Sequence, residues 1–308
     1  MKLHLFLPLL TLLSLPLHIM AESQRHYVVG FAQDNMSNDW RAAQVNEMKQ
    51  ALEKYPFIRF VHTDAEGSAA RQVLDMQRLV EQGVDVIVTS PRDVKIMTPA
   101  ISAIYRKGIP VVLLTRRILS DDYTTFIGAD DRQIARNAAE EMVTRLGGKG
   151  RIVMLQGVPT ATTAIQRKKG FAEVIKAHPD INIVAEPVAN YSRVDAIRAV
   201  EQLIAEGVEF DAIYAHSDSM AVGARMAMKM AGIDPKNIII IGIDYIDEAR
   251  AAIRAGEQSV SFTYPTAGGE GAAAVLKIIQ GKTATKDQAI PFARVTSDNV
   301  EQVETVFE

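Results

Sequence analysis

The segment Val111-Val112-Leu113-Leu114-Thr115-Arg116-Arg117 joins an unbroken apolar run to an abrupt polar end. The apolar run predicts a strand buried inside a parallel sheet. Ligands of open parallel sheets bind outside the carboxyl ends of the strands, and a guanidinium offers five hydrogen-bond donors there. Two interpretations stay open: arginines that bind an oxygen-rich ligand, or a surface pair that covers the sheet edge.

Short β-type runs alternate with amphipathic helical stretches on both sides of this segment. Strands are predicted at 27–32, 58–63, 84–89, 111–114, 124–128, 152–155, 183–188, 212–215, 238–243 and 259–264. Helices are predicted at 40–54, 70–82, 97–107, 136–146, 164–177, 195–206, 221–231, 247–255 and 271–280. This alternation indicates an α/β fold of doubly wound parallel sheets with helices on both faces. Two successive sets indicate two lobes, with the crevice between them as the expected ligand site.

The bulk composition is that of an ordinary globular protein. The chain has 308 residues, 48% hydrophobic and 23% charged, with a formal net charge of −3. That charge gives no basic bias toward nucleic acid or anionic lipid, so no nucleic-acid partner is expected. There is no cysteine, which excludes thiolate metal sites and a thiol nucleophile.

The N-terminus predicts an exported protein. Met1-Lys2 carries one positive charge, Leu3 to Met20 is apolar, and Ala21 precedes the polar Glu22. This arrangement favours a signal peptide at 1–21 that is cleaved, over an uncleaved membrane anchor. The expected compartment is the bacterial periplasm.

The motifs of several chemistries are missing. The first strand is followed by Gln33-Asp34-Asn35-Met36-Ser37-Asn38, which is not a dinucleotide-binding G-x-G-x-x-G. Gly281-Lys282-Thr283 follows a helix and lacks the first glycine of a phosphate loop. No G-x-S-x-G and no H-E-x-x-H are present. We therefore expect no cofactor, no metal ion and no enzymatic activity.

Polar and aromatic residues follow the predicted strands in both halves. The candidates for ligand binding are Asp34, Asn38, Trp40, Arg41, Thr115, Arg116, Arg167, Tyr191, Ser217, Asp244 and Tyr264. Sugars suit this mixture, because aromatic faces take the C–H side of a ring and charged groups bind hydroxyls strongly.

Several candidates have a structural alternative. Trp40 is the single tryptophan and fits either a stacking platform or a core residue. Asp244 fits a ligand acceptor or a helix cap, and Arg167 lies in a basic run that is typical of a solvated helix face. Asp130 and Asp131 follow Gly128-Ala129, where the pattern restarts, and are interpreted as hinge and helix-cap residues.

Several motifs resemble one family in one order. They are Leu155-Gln156-Gly157, Arg167-Lys168-Lys169-Gly170-Phe171, the segment from Ala215 to Ala224 and Ile241-Gly242-Ile243-Asp244. From Tyr27 to about Val300 the chain resembles the type I periplasmic sugar-binding proteins of the ribose- and galactofuranose-binding kind. The resemblance implies two lobes joined by a three-strand hinge that close on a sugar. We expect one lobe at 26–129 plus about 265–290, and the other at 130–264 plus about 291–308.

The resemblance also implies residue roles. Trp40 would stack on the ligand, Arg41, Arg116 and Arg167 would donate, and Asp244 would accept. Tyr191 would replace a phenylalanine and Tyr264 a polar residue. Two further positions depart from the family: Thr115 replaces an aspartate and Ser217 an asparagine. Because loss of that aspartate would leave excess positive charge beside Arg116, we hypothesise an acidic or phosphorylated ligand, or one that is otherwise not a plain hexose.

These observations favour a monomeric solute-binding protein that delivers a small polar ligand, a sugar or sugar derivative, to the membrane permease of an ABC importer. The alternative is a ligand sensor that presents its closed form to a membrane histidine kinase or chemoreceptor. A transcriptional repressor of this architecture would need an N-terminal helix-turn-helix, where the predicted signal peptide stands.

Overall fold

A computed structural model describes residues 25–307 and shows two six-stranded sheets. The predicted signal peptide lies outside the described residues. Within them, no helix is both long and apolar enough to cross a membrane.

The first sheet has the strand order β11-β5-β4-β3-β1-β2, and all of its pairs are parallel. Its strands are β1 (Tyr27–Gln33), β2 (Ile58–Asp64), β3 (Val86–Thr89), β4 (Val111–Leu114), β5 (Thr125–Gly128) and β11 (Asp287–Ala289). Its helices are α1 (Asp39–Leu52), α2 (Ala69–Glu81), α3 (Val94–Arg106) and α9 (Gly268–Ile279).

The second sheet has the order β12-β10-β9-β8-β6-β7 and is parallel except for β12, which runs antiparallel to β10. Its strands are β6 (Gly150–Leu155), β7 (Ile181–Ala185), β8 (Ala212–Ala215), β9 (Ile239–Asp244), β10 (Val260–Thr263) and β12 (Arg294–Val295). Its helices are α4 (Asp131–Arg145), α5 (Thr162–Ile175), α6 (Arg193–Ala205), α7 (Asp218–Met230) and α8 (Asp247–Arg254).

Strand β4 shows why the central strands are apolar at every position. Val111 and Leu113 belong to the core cluster on one face of the first sheet, whereas Val112 and Leu114 belong to the cluster on the other face. Successive side chains of a strand point to opposite faces, and helices cover both. The predicted doubly wound α/β fold is therefore confirmed.

The chain passes between the two sheets three times. The crossings are the segment between β5 and α4, the segment between β10 and α9, and the segment between β11 and β12. These passages form the expected three-strand hinge. Because the carboxyl ends of the two sheets face each other beside this hinge, the candidate site lies where these ends meet.

Most helices begin a few residues before their predicted starts. The helix predicted at 195–206 begins at Arg193, since the Ser192 side chain accepts from the Asp195 amide. The helix predicted at 136–146 begins at Asp131, with Asp130 capping it. The strand predicted at 183–188 is Ile181–Ala185.

Candidate functional site

The carboxyl ends of the two sheets face each other across a cavity of about 30 Å³. Its lining comprises Asn38, Trp40, Arg41, Thr163, Arg167, Tyr191, Asp244 and Tyr264. This volume holds about two water molecules and is smaller than a sugar. The lobes are therefore closed, and a sugar enters only if they part or the walls move.

Asp34 lies behind this cavity and joins three arginines. Its Oδ2 accepts from Arg116 Nη1 at 2.7 Å and from Arg92 Nη1 at 3.4 Å, and its Oδ1 lies 3.6 Å from Arg41 Nε. Burial would raise the pKa of Asp34, but the three guanidiniums outweigh it and the pKa is lowered. Asp34 thus supplies an anion beside Arg116, where Thr115 brings none, and it offsets part of the positive charge on which the hypothesis of an acidic ligand rests.

Arg41 reaches the cavity from the first turn of α1. Asn38 caps this helix by accepting from the Arg41 amide at 3.1 Å. Arg41 Nη1 donates to Ser90 Oγ at 2.8 Å and to Gln44 Oε1 at 3.3 Å. Burial, and then repulsion from Arg116, lowers the pKa of Arg41 to about 10. Arg41 therefore stays charged at neutral pH and is fixed in direction.

Arg167 is the matching donor on the second lobe. Its Nε donates to Asp131 Oδ1 at 2.8 Å, its Nη1 donates to the His216 carbonyl, and its guanidinium lies 4.4 Å from the Tyr264 ring. Burial opposes the charge, yet Asp131 and the surrounding groups hold the pKa of Arg167 well above its usual range. Asp131, interpreted from sequence as a hinge or cap residue, is the counter-ion of Arg167. Asp130 alone caps α4.

Asp244 differs from the other two carboxylates of the site. It ends β9, is buried and lines the cavity. Within the part of the chain that the structure describes, no side chain or amide donates to its carboxylate. Burial raises the pKa of Asp244 well above the usual value, although Arg167 and Arg41 oppose the shift. A ligand hydroxyl that donates to Asp244 would supply the missing partner.

Aromatic rings form the remaining walls. Trp40 Nε1 donates to the Tyr264 carbonyl at 3.0 Å, and the two rings lie 5.7 Å apart. Trp40 also packs into a core cluster of the second lobe, which fits its interpretation as a core residue. Stacking of Trp40 on a ligand stays a prediction. Tyr191 shares a 3.0 Å hydrogen bond with Thr163 Oγ1. Its ring fills a notch at Gly157, where a Cβ would overlap it.

Four predicted site residues do not line the cavity. Asp34 and Arg116 form a buried ion pair with each other, and the other two are Thr115 and Ser217. Thr115 is buried behind the cavity, with Oγ1 3.3 Å from Ser90 Oγ. Ser217 caps α7, accepting from the Met220 amide at 3.3 Å. Thr163 is the lining residue that sequence reasoning missed. It precedes Arg167 by one helical turn, a spacing that places both on one face of α5.

Two residues of the cavity lining, and Thr115 behind it, have strained backbone conformations. Positive φ angles occur at Thr115 (59°), Tyr191 (62°) and Asp244 (120°). Such conformations are uncommon outside glycine and cluster at functional sites. Among residues 25–307, no group of three or more potential metal-ligating His, Cys, Asp or Glu side chains occurs.

Comparison with known proteins agrees with this architecture. The model of the periplasmic binding protein domain matches residues 29–283, so the chain belongs to that family, whose members bind solutes and are not enzymes. The resemblance seen in the sequence is confirmed.

Individual relatives are similar over most of their length. The galactofuranose-binding protein of Escherichia coli is 34% identical over 76% of this chain and 76% of its own. The xylitol-binding protein of Mycolicibacterium smegmatis is 29% identical over 83% and 75%. The fructose binding periplasmic domain of a hybrid two component system is 32% identical, covers 89% of this chain and 92% of its own, and superimposes with a TM-score of 0.84.

Proposed function

We propose that this protein is a periplasmic solute-binding protein that captures a neutral sugar or polyol between its lobes and delivers it to an ABC permease. The Asp244 carboxylate carries the proposal, because it lines the cavity without a protein donor, between Arg41 of one lobe and Arg167 of the other. A polyhydroxylated ligand can donate to Asp244 and accept from both arginines. The names of the relatives, which refer to galactofuranose, xylitol and fructose, support this class.

The charges of the site favour a neutral ligand over an acidic one. Arg116 is paired with Asp34 and Arg167 with Asp131. The remaining residues of the lining that can carry a charge are Arg41 and Asp244, whose formal charges are opposite in sign. An anionic ligand would meet the Asp244 carboxylate, or would require this carboxyl group to be protonated, whereas a neutral hydroxyl can donate to the ionised form.

Native mass spectrometry of the purified protein, followed by a thermal-shift screen, tests the proposal. The panel contains xylitol, D-fructose, D-ribose and myo-inositol, with D-glucuronate and ribose 5-phosphate as acidic controls. Binding stabilises the folded state in proportion to the logarithm of ligand concentration over Kd. We expect a neutral member of the panel to raise the melting temperature. Shifts with the acidic members alone would contradict the charge argument.

A sensor role is the second candidate. The 32% identity to a periplasmic domain of a hybrid two component system favours it. Deleting the gene and measuring uptake of the identified ligand separates the two roles. If the protein is an importer subunit, the deletion strain loses uptake. If it is a sensor, the strain loses only the transcriptional response.

We also propose that export includes cleavage after Ala21. Support comes from the charged start, the apolar segment and the small residue at 21. N-terminal sequencing of the protein from a periplasmic extract should begin at Glu22. An N-terminus at Met1 would favour the membrane anchor.

A further inference from the structure

The two lobes touch beside the cavity along α1 and the segment that leads into α6. Asn38 Nδ2 donates across the cleft to the Tyr191 carbonyl at 2.9 Å. Next to this bond, Arg193 Nη2 donates to Asp39 Oδ2 at 3.0 Å. Of the ion pairs within residues 25–307, this is the one whose partners stand in different lobes.

Arg193 is oriented by its own lobe before it reaches across. The same Nη2 lies 2.6 Å from Glu248 Oε1 of α8. The Arg193 carbonyl packs against Gly223 of α7 so closely that a Cβ there would overlap it. The first residue of α6 is thus fixed by α7, and its side chain by α8. A preorganised donor loses less conformational entropy when it forms a new bond.

We propose that Arg193 is a positioning residue that links the lobes through Asp39 and sets the balance between closed and open forms. The proposal rests on the proposed function in one respect, which is that closure of the lobes serves to capture the ligand. Arg193 does not line the cavity, so it acts on how long the closed form lasts and not on which ligand is chosen. Its side chain is 34% exposed and that of Asp39 63%, so dissolved salt reaches the bridge and weakens it.

Single-molecule Förster resonance energy transfer on the ligand-free protein tests this proposal, because it measures the ratio of closed to open molecules. The chain has no cysteine, so Gln77→Cys on α2 and Lys176→Cys at the end of α5 place one dye on each lobe. The variant is Arg193→Met, which keeps most of the stem and removes the charge. The matched control is Arg198→Met on the same helix, whose 3.9 Å pair with Asp195 stays within one lobe.

We expect Arg193→Met to lower the ratio of closed to open molecules by about two- to five-fold, the range of an exposed ion pair. Asp39→Asn should act alike, and combining it with Arg193→Met should add little. Raising NaCl from about 10 mM to about 1 M shortens the Debye length from about 30 to about 3 Å. The higher NaCl concentration should lower the ratio of closed to open molecules in the wild type and in Arg198→Met but not in Arg193→Met.

Three results would overturn the proposal: equal ratios in Arg193→Met and Arg198→Met, a wild-type ratio that ignores salt, or no closed population in the free wild type. Binding of the sugar panel is measured as well, so that failure of the proposed bridge can be distinguished from failure of the proposed function. An Arg193→Met protein that binds the same panel member as the wild type, with an unchanged closed fraction, refutes the bridge alone. A wild type that binds no member refutes the proposed ligand class alone.

Discussion

Thr115 keeps a left-handed backbone conformation, with φ 59°, although its side chain branches at Cβ. This conformation is a true outlier for a β-branched residue, whereas asparagine tolerates it. Its amide donates to the Ile127 carbonyl at 2.7 Å, so the surrounding sheet fixes the strained turn. The turn directs Arg116 back toward Asp34.

We expect Thr115→Asn to stabilise the ligand-free protein by about 1 kcal/mol, because it relieves this strain. Urea unfolding measures the change. Thr124→Asn serves as control, since Thr124 has no positive φ and accepts from the Val111 amide. Equal gains from both substitutions would show that backbone strain is not the cause.

Arg116, predicted from the sequence to donate to the ligand, forms a buried ion pair in the structure. It is 1% exposed and pairs with Asp34, which is 2% exposed. From sequence, Arg116→Ala should abolish ligand binding without unfolding the protein. Its burial now predicts a loss of about 3 kcal/mol in the free energy of unfolding as well. The buried Asp34 carboxylate would lose its closest partner and keep only the longer contacts with Arg92 and Arg41.

The double variant Arg116→Ala with Asp34→Asn should recover part of that stability, as measured by urea unfolding. Recovery is not complete because Arg41 and Arg92 lose the same carboxylate. Arg117→Ala is the control, because Arg117 pairs with Asp287 at the surface and should cost less than about 1 kcal/mol. No recovery in the double variant would rule out the weakened pairing of the Asp34 carboxylate as the source of the loss.

Gly157 fixes where the Tyr191 ring lies. Because a Cβ at this position would overlap the ring, Gly157→Ala should displace Tyr191 and destabilise the protein by about 1–3 kcal/mol, the usual cost of overpacking. Thermal unfolding measures this, and Tyr191→Ala in the same chain should remove most of the penalty. An undiminished penalty would place the clash elsewhere.

Among the elements, α7 is joined to strands β9 and β10 of the second sheet through one buried carboxyl group. Asp218 accepts from the Tyr245 amide at 2.7 Å, from Gln258 Nε2 at 2.6 Å and from Ser261 Oγ. Burial raises the pKa of Asp218 to about 6, against the effect of these donors and of Arg225.

The raised pKa gives stability a definite pH dependence. Below pH 3.8 the carboxyl is protonated in both folded and unfolded states. As pH rises from there through about 6, the unfolded state ionises first, so the Asp218 contribution is lost. The shift from 3.8 to about 6 corresponds to about 3 kcal/mol. Asp218→Asn should remove this decline from unfolding free energies measured between pH 4 and 7. Parallel curves for both proteins would contradict it.

Comparison of the predicted and observed elements shows which parts of the structure local sequence patterns can predict. Apolar runs such as Val111–Leu114 match their strands, because central parallel strands are buried on both faces. The short strands Asp287–Ala289 and Arg294–Val295 were missed, since two or three polar residues carry no periodicity. The role of Asp131 was missed because its partner Arg167 is distant in the chain. No local pattern shows which carboxylate meets which arginine.

For the whole molecule, the single tryptophan lies at the boundary between the lobes. Trp40 belongs to α1 of the first lobe, yet it bonds to Tyr264 and packs into the core of the second. Opening the cleft would expose this indole to water. We expect ligand binding to shift Trp40 emission to shorter wavelength in a fluorescence titration, with a saturating dependence on concentration. Identical spectra with and without a ligand detected by mass spectrometry would mean that binding does not close the lobes.

The strand order also determines when each half can be completed. The first sheet needs β11 at its edge and α9 against β4, and both follow almost the whole second sheet in the chain. Strands β6 to β10 are contiguous and wait only for the short edge strand β12. As the polypeptide emerges from its N-terminal end, the lobe that is begun first is finished late. Its half-built core must therefore persist, or be shielded by chaperones, until the returning segment arrives.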